Sequence, residues 1–105
     1  MGFQIGGAIL DFVVLSILDI QDEYGYEITQ QVRRILDVSE TAMYPALKRL
    51  QKAGLLTTYD RPYQGRNRRY YAISDQGRQA LGQYRQEWTQ FKQDMDTLLS
   101  GRMQA

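Results

Sequence analysis

The stretch TAMYPALKRLQKAGLL, residues 41–56, decides how the rest of the chain is interpreted. Met43, Leu47 and Leu50 fall on one face of a helix, at spacings of four and three. Gly54 supplies a residue that commonly ends a helix. The remaining positions are mostly polar or charged. This stretch therefore predicts an amphipathic helix that packs one face on a core and exposes the other.

Two further helices are predicted before this one. The run ILDFVVLSIL, residues 9–18, is apolar nearly all the way round, which in a soluble protein indicates burial on more than one side. Because a small domain offers one core, the second side is expected to meet another subunit. After a turn at residues 21–26, residues 27–36 carry apolar side chains at helical spacing. Ser39 is expected to cap the third helix.

A β-hairpin is predicted after Gly54. Residues 55–60 (LLTTYD) and 68–73 (RRYYAI) have the composition of strands, and residues 61–67 (RPYQGRN) are expected to form an exposed basic turn. Ser74 can cap a last helix. The predicted fold is therefore mainly α with a small β-hairpin, a winged helix-turn-helix followed by a long C-terminal dimerisation helix.

The last helix carries the most regular pattern in the chain. Its apolar residues are spaced three, four, three, four and three, which is a heptad seam. This face could dock on its own domain, but the length and terminal position of the helix favour contacts between subunits. We divide the chain into a winged helix-turn-helix domain at residues 1–73, which includes the first helix, and a C-terminal dimerisation helix and tail at residues 74–105. The predicted dimer interface consists of Phe12, Leu81, Tyr84, Trp88, Phe91, Met95 and Leu98.

The composition argues against several classes of protein. The 105 residues include no cysteine and no histidine, so disulfides, thiolate chemistry, zinc sites and most general-base catalysis lose their usual residues. No P-loop or glycine-rich phosphate fingerprint is present. We therefore expect no enzymatic activity, no metal and no cofactor. The longest apolar run is shorter than the roughly 20 residues that span a membrane, and no secretory signal is evident, which predicts a cytoplasmic protein without membrane contacts.

Charge is distributed unevenly, although the net formal charge is only +1. Residues 48–69 hold seven basic side chains and one acidic side chain, whereas residues 1–47 hold two basic and seven acidic ones. A concentrated basic block indicates a surface that faces a polyanion, although a solvated charged turn would look the same. In a helix-turn-helix protein the second helix of the pair enters the major groove. Here that helix carries Lys48 and Arg49, which favours double-stranded DNA as the partner.

Three motifs resemble the PadR family of bacterial transcriptional regulators. They are YGYEI at residues 24–28, MYPALKRLQKAGLL at residues 43–56 and GRNRRYYAISDQGRQAL at residues 65–81, in the order found in the family. The short chain with a single C-terminal helix is similar to the family's smaller subgroup. The resemblance implies a homodimeric repressor that binds an inverted-repeat operator upstream of its own or a neighbouring gene. It also implies a dimer built from the first and last helices.

The resemblance further implies which side chains contact DNA. Ala42 and Met43 depart from the family's usual residues, which leaves the base preference open. The recognition helix spans about residues 39–53 and the basic wing about residues 61–69. The implied contacts are Thr41, Tyr44, Pro45, Lys48 and Arg49 from the helix, and Arg66, Arg68 and Arg69 from the wing.

Several of these residues have a second interpretation. An interior proline removes a hydrogen bond and costs about 3 kcal/mol. Pro45 either alters the early turns of the helix and presents a rigid apolar surface to DNA, or lies in a first turn that begins after Ser39, where proline is tolerated. Tyr44 could be half-buried core, and Lys48 and Arg49 could be an ordinary solvated face.

Trp88 is the single tryptophan and lies in the middle of the heptad seam. It could simply pack in a dimer core. Across a two-fold axis it would instead approach its symmetry mate, and two indoles could form a slot for a small planar aromatic effector, with Ile9 and Phe12 as walls. Multidrug-responsive PadR-type repressors resemble this arrangement. The competing function is a winged-helix protein–protein interaction module without specific DNA binding.

Overall fold

Seven elements lie within residues 6–101, which are the residues that the structure, a computed structural model, describes. The predicted class, a mainly helical winged helix-turn-helix with a long last helix, is confirmed. The elements are α1 (Gly7–Ile20), β1 (Glu23–Tyr24), α2 (Gly25–Arg33), α3 (Glu40–Lys52), β2 (Leu56–Tyr63), β3 (Arg66–Ile73) and α4 (Asp75–Ser100).

The sheet contains a strand that the sequence did not indicate. Residues 21–26 were predicted to form a turn, but β1 lies within them and pairs antiparallel with β3, so that the strand order is β1-β3-β2. A strand of two residues is too short to show the alternation of apolar and polar side chains that identifies strands in a sequence.

The hairpin is longer and its turn tighter than predicted. β2 and β3 pair as far as Tyr63 and Arg66, so the predicted seven-residue turn shrinks to Gln64 and Gly65. Both turn residues have positive φ, 51° and 77°, as in the type I′ turns that match the twist of paired strands. Pro62 is accommodated because β2 is an edge strand of the sheet.

α2 is displaced toward the N-terminus relative to the prediction of residues 27–36. It begins at Gly25, where a Cβ atom would lie 3.4 Å from a ring carbon of Tyr71 and 3.5 Å from one of Tyr44. It ends at Arg33, so Ile35 lies beyond the helix and is 85% exposed. Ile35 is one of the apolar residues at helical spacing within the predicted helix 27–36, and its expected place on the buried face of that helix is therefore wrong.

α3 ends as predicted and begins with a weaker cap than predicted. Ser39 occupies the N-cap position, but its hydroxyl pairs with the Thr41 hydroxyl at 3.0 Å and caps no backbone N–H. At the other end Gly54 adopts a φ of 79°. Its N–H donates to the Gln51 carbonyl, and the next N–H donates to the Leu50 carbonyl at 3.0 Å. This pair of bonds is the Schellman motif.

The core lies where α1 meets α3, the sheet and the first turns of α4. Leu81 of α4 is 1% exposed inside this core, which corrects its assignment to the dimer interface: one chain already buries it. The first turns of α4 thus belong to the winged-helix core. The other core side chains are Leu10, Val14, Leu15, Leu18, Ile28, Val32, Met43, Ala46, Leu47, Leu50, Leu56, Tyr71 and Ile73.

The junction between α4 and the rest of the fold depends on Gly77. The Ser74 hydroxyl accepts a hydrogen bond from the Gly77 N–H at 3.0 Å, which confirms the predicted cap, and donates to the Gly54 carbonyl at 2.7 Å. A Cβ atom on Gly77 would collide with the backbone carbonyl oxygen of Leu55. Because that oxygen accepts from the Ser74 N–H, it cannot move without breaking the junction.

Gly77→Ala is therefore expected to lower the free energy of unfolding by about 1–3 kcal/mol, the usual cost of forcing an extra carbon into a packed site. Urea denaturation followed by circular dichroism measures it. Gly82→Ala is the matched control, since nothing lies within 4 Å of its added Cβ, and alanine in a helix interior should gain about 0.5–1 kcal/mol. Equal effects of the two variants would contradict the packing argument.

Candidate nucleic-acid interface

α3 presents one row of exposed side chains opposite its buried face. Thr41, Pro45, Lys48 and Lys52 are spaced four, three and four residues apart, so they lie on the same side of the helix, and all four are exposed. We call these four residues the outward row. Lys52 was missed as a candidate site residue, although its spacing from Lys48 identifies it. A helix face of this kind fits the major groove, which is about 12 Å wide.

Pro45 is the sixth residue of α3, which begins at Glu40. The first N–H groups of a helix have no partner within it, but Pro45 lies beyond them, where an ordinary residue would donate to the Thr41 carbonyl. The explanation that Pro45 lies in a late-starting first turn is therefore wrong. The helix carries an interior proline on its exposed side.

Tyr44 lies beside the outward row and joins α3 to the sheet. It is 53% exposed, so it is not a core residue. Its ring passes close to Gly25 and to Tyr71 of β3. Burial raises the pKa of Tyr71, Arg69 opposes that shift and Tyr44 adds to it. Tyr44 of α3 and Tyr71 of β3 therefore meet beside Gly25, which joins α3 to the sheet.

Arg49 does not belong to the outward row. Its guanidinium forms two hydrogen bonds to the Asp11 carboxylate of α1, one from Nη2 and one from Nε, the latter at 3.4 Å. The Asp11 side chain is only 13% exposed and that of Arg49 is 49% exposed. The hydrogen bond to Asp11 raises the pKa of Arg49 above its ordinary value. Of the predicted helix contacts, Arg49 is thus the one that the fold directs toward its own α1.

The three predicted wing arginines point to two faces of the hairpin. Because side chains alternate along a strand, Arg69 shares a face with buried Tyr71, whereas Arg66 and Arg68 project from the other face. Arg69 pairs with Asp60 across the hairpin, with 3.7 Å between its Nε and a carboxylate oxygen. The structure therefore does not gather the three arginines into one cluster.

The outer face of the sheet is a ladder of tyrosine rings and guanidinium groups. The Arg68 guanidinium lies between the rings of Tyr24 and Tyr63, at 4.2 and 3.6 Å from their centroids. Arg61 lies over Tyr59 at 5.5 Å. Such contacts contribute about 0.5–1 kcal/mol each at exposed sites. They stiffen the wing, a role that the alternation of tyrosine and arginine at residues 59, 61 and 63 of β2 could have indicated.

The predicted effector residues come together between α1 and α4. Phe12 stacks on Tyr84 with 5.9 Å between ring centroids and lies 6.5 Å from the Trp88 ring. A groove of about 790 Å³ lies beside these rings, and its lining includes Ile9, Phe12 and Trp88. The exposed fractions of Trp88 and Phe91 are 40% and 52%. Apolar side chains thus extend beyond the core along one continuous face.

The match to a known protein family covers α2, α3 and the whole sheet, with parts of α1 and α4. The model of the transcriptional regulator PadR-like family matches residues 14–83. The chain belongs to the PadR-like family. It is therefore a DNA-binding transcriptional regulator and not an enzyme, as the motifs and the composition predicted. None of the helices in residues 6–101 combines the length and hydropathy that a membrane span requires.

Solved structures support this placement of the PadR-like chain. A crystal structure from Streptococcus mutans is 35% identical and has a TM-score of 0.91, covering 100% of this chain and 99% of that one. A PadR family transcription regulator from Clostridium difficile is 36% identical, with a TM-score of 0.80 and coverage of 86% and 97%. Bacillus subtilis PadR in complex with operator DNA shares the fold at 23% identity, with a TM-score of 0.66 and coverage of 72% and 46%.

Pro45→Ala is expected to stabilise the protein by roughly 2 kcal/mol. The new N–H can bond the Thr41 carbonyl, and only part of the gain is offset by the greater freedom of the unfolded chain. Urea denaturation measures the change. Pro62→Ala in the edge strand is the control and should change the free energy of unfolding by no more than about 0.5 kcal/mol. A Pro45→Ala variant no more stable than the wild type would show that α3 accommodates the proline without strain.

Proposed function

We propose that this PadR-like regulator is a homodimeric repressor that places α3 in the major groove of an inverted-repeat operator in the cytoplasm. The observation that supports it most directly is the outward row of α3, where two lysines and a threonine are exposed on a helix whose opposite face is buried. Lysine side chains bind phosphates or guanine O6 and N7.

The proposed contacts fall into two groups. Thr41, Tyr44, Pro45 and Lys48 contact the major groove, and Pro45 presents a rigid apolar surface there at the expense of helix stability. Residues that break a local rule without a local gain often mark functional sites. The wing contacts the flanking backbone or minor groove through Arg66, Arg68 and Arg69.

The proposed dimer uses the part of α4 that lies beyond the winged-helix core. Trp88, Phe91 and Leu98 have exposed fractions of 40%, 52% and 55%, at heptad spacing. Burying such a face supplies the free energy that a chain of this size lacks on its own. A two-fold dimer places two recognition helices on two half-sites, which accounts for an inverted repeat. The proposed interface consists of Phe12, Tyr84, Trp88, Phe91, Met95 and Leu98.

The groove beside Trp88 is the proposed site of a small planar aromatic effector. Its lining is almost wholly apolar, and the rings of Phe12, Trp88 and Phe91 offer faces for stacking. A ligand bound between two subunits would change the spacing of the two α3 helices. If the ligand binds more tightly to the dimer whose α3 spacing does not fit the operator, its binding lowers the affinity of the dimer for operator DNA.

Lys48→Ala is expected to weaken binding to a duplex from the region upstream of the protein's own gene. Loss of one phosphate contact should reduce the magnitude of the negative slope of log K against log salt by about 1. Loss of a base contact should instead reduce the preference for this duplex over a shuffled one. Fluorescence anisotropy at several salt concentrations distinguishes the two. Lys92→Ala on α4 makes the same change of charge away from the proposed DNA contacts, and this variant should bind the duplex like the wild type. Equal binding by both variants would remove Lys48 from the interface.

Planar cationic dyes are expected to quench the emission of Trp88 and to saturate at one dye per two chains, because the proposed slot lies between two indoles. Titration by fluorescence, with the chain mass in solution measured by sedimentation, tests the dimer and the slot together. The predicted mass is twice the 12.2 kDa of one chain. Absence of quenching at saturating dye would argue for plain packing of Trp88, and a single-chain mass would contradict the dimer.

A further inference from the structure

Two consecutive residues of α1 connect the two surfaces that the proposed function uses. Asp11 binds the Arg49 guanidinium of α3. Phe12 stacks on Tyr84 and contacts Trp88 of α4. A displacement of α1 at either contact therefore also displaces the other contact, because both originate from the same turn of one helix.

The contact between Asp11 and Arg49 combines a largely buried carboxylate with two hydrogen bonds. The Asp11 side chain is 13% exposed, and two N–H groups of Arg49 bind its two oxygens. The Arg49 Nη2 also lies 3.7 Å from where a Cβ atom on Gly7 would stand, so the side chain runs along the start of α1. Tyr84 stacks on Phe12, the residue that follows Asp11. Burial raises the pKa of Tyr84, Asp11 raises it further and Arg49 opposes the shift.

While it is bound to Asp11, Arg49 is poorly placed to bind DNA. It lies off the outward row, and the N–H groups that bind Asp11 could reach a phosphate only if the guanidinium left that carboxylate. That would strand a mostly buried carboxylate without its partner, which is more costly than breaking an exposed pair. The arrangement favours a guanidinium that stays with α1.

We infer that Arg49 is a positioning residue: its pair with Asp11 fixes α3 against α1 and so transmits the state of the Phe12–Tyr84–Trp88 contact to the recognition helix. This inference rests on the proposed function, since the pose of α3 matters through operator binding. It assigns to Arg49 a role distinct from the DNA contact expected from the sequence.

The isosteric variant Asp11→Asn separates the two roles by the sign of its effect. If Arg49 contacts phosphate, weakening its tie to α1 removes a negative charge and frees a cation, so operator binding stays equal or tightens. If Arg49 positions α3, the same change weakens operator binding by about tenfold, within the range of measured couplings between contacting residues. The slope of log K against log salt and the binding to a shuffled duplex stay at their wild-type values, because no phosphate contact is lost.

A double-mutant cycle and a charge-matched control complete the experiment. Arg49→Gln alone is expected to weaken operator binding at least as much as Asp11→Asn, because it also leaves the Asp11 carboxylate unpaired. Adding Asp11→Asn to Arg49→Gln is expected to cause no further loss, since both changes remove the same link. Asp96→Asn on α4 makes the same change of charge at an exposed site and should leave binding unchanged or slightly tighter. Additive losses in the cycle, or a lower salt slope for Arg49→Gln, would overturn the inference.

The outcomes separate this inference from the proposed function. A wild-type protein that does not prefer the operator to the shuffled duplex refutes the function. A wild-type protein that does prefer it, while Asp11→Asn binds as tightly or more tightly, refutes the positioning role. If circular dichroism shows Asp11→Asn to be unfolded, Arg49→Lys replaces it, since lysine keeps the charge but cannot make both hydrogen bonds. Wild-type operator affinity for Arg49→Lys would equally overturn the positioning role.

Discussion

The two apolar sides of α1 are the constraint on which the rest of the structure depends. One side, with Val14 and Leu15 fully buried, forms the middle of the winged-helix core. The other side, with Ile9 and Phe12, continues into the groove along α4. A helix that is apolar nearly all round cannot be satisfied by a small core alone. The fold therefore leaves a second apolar face, and the proposed dimer and effector site both use it.

Stability and recognition are distributed over different parts of the PadR-like fold. The junction of Gly54, Ser74 and Gly77 contains tight contacts and satisfied hydrogen bonds, as expected where no partner has to be met. α3 combines the opposite features on its exposed side, with an interior proline and an N-cap residue that caps no backbone N–H. Both features lower the local stability of α3, and such a loss on an exposed side is typical of residues selected for what they contact.

The sequence predicted the order of the helices and the hairpin because each has a local signal: heptad spacing in α4, strand composition on either side of a turn, and caps such as Ser74. It could not show what depends on the third dimension. The strand at residues 23–24 forms only against β3 and has no pattern of its own. Leu81 continues the heptad but is covered by its own chain, and Arg49 resembles a DNA contact until Asp11, 38 residues earlier, is seen beside it.

The outward row of α3 is proposed to belong to a sequence-specific DNA-binding surface. Fluorescence anisotropy of a duplex from the upstream region of the protein's own gene, against a shuffled duplex of equal length and at two salt concentrations, tests it most directly. Specific binding proteins prefer their site by roughly a thousandfold or more, and that preference is the predicted result. Weak, strongly salt-dependent binding of equal strength to upstream duplexes and their shuffled controls would contradict the claim, because it would reduce the basic surface to general affinity for polyanions.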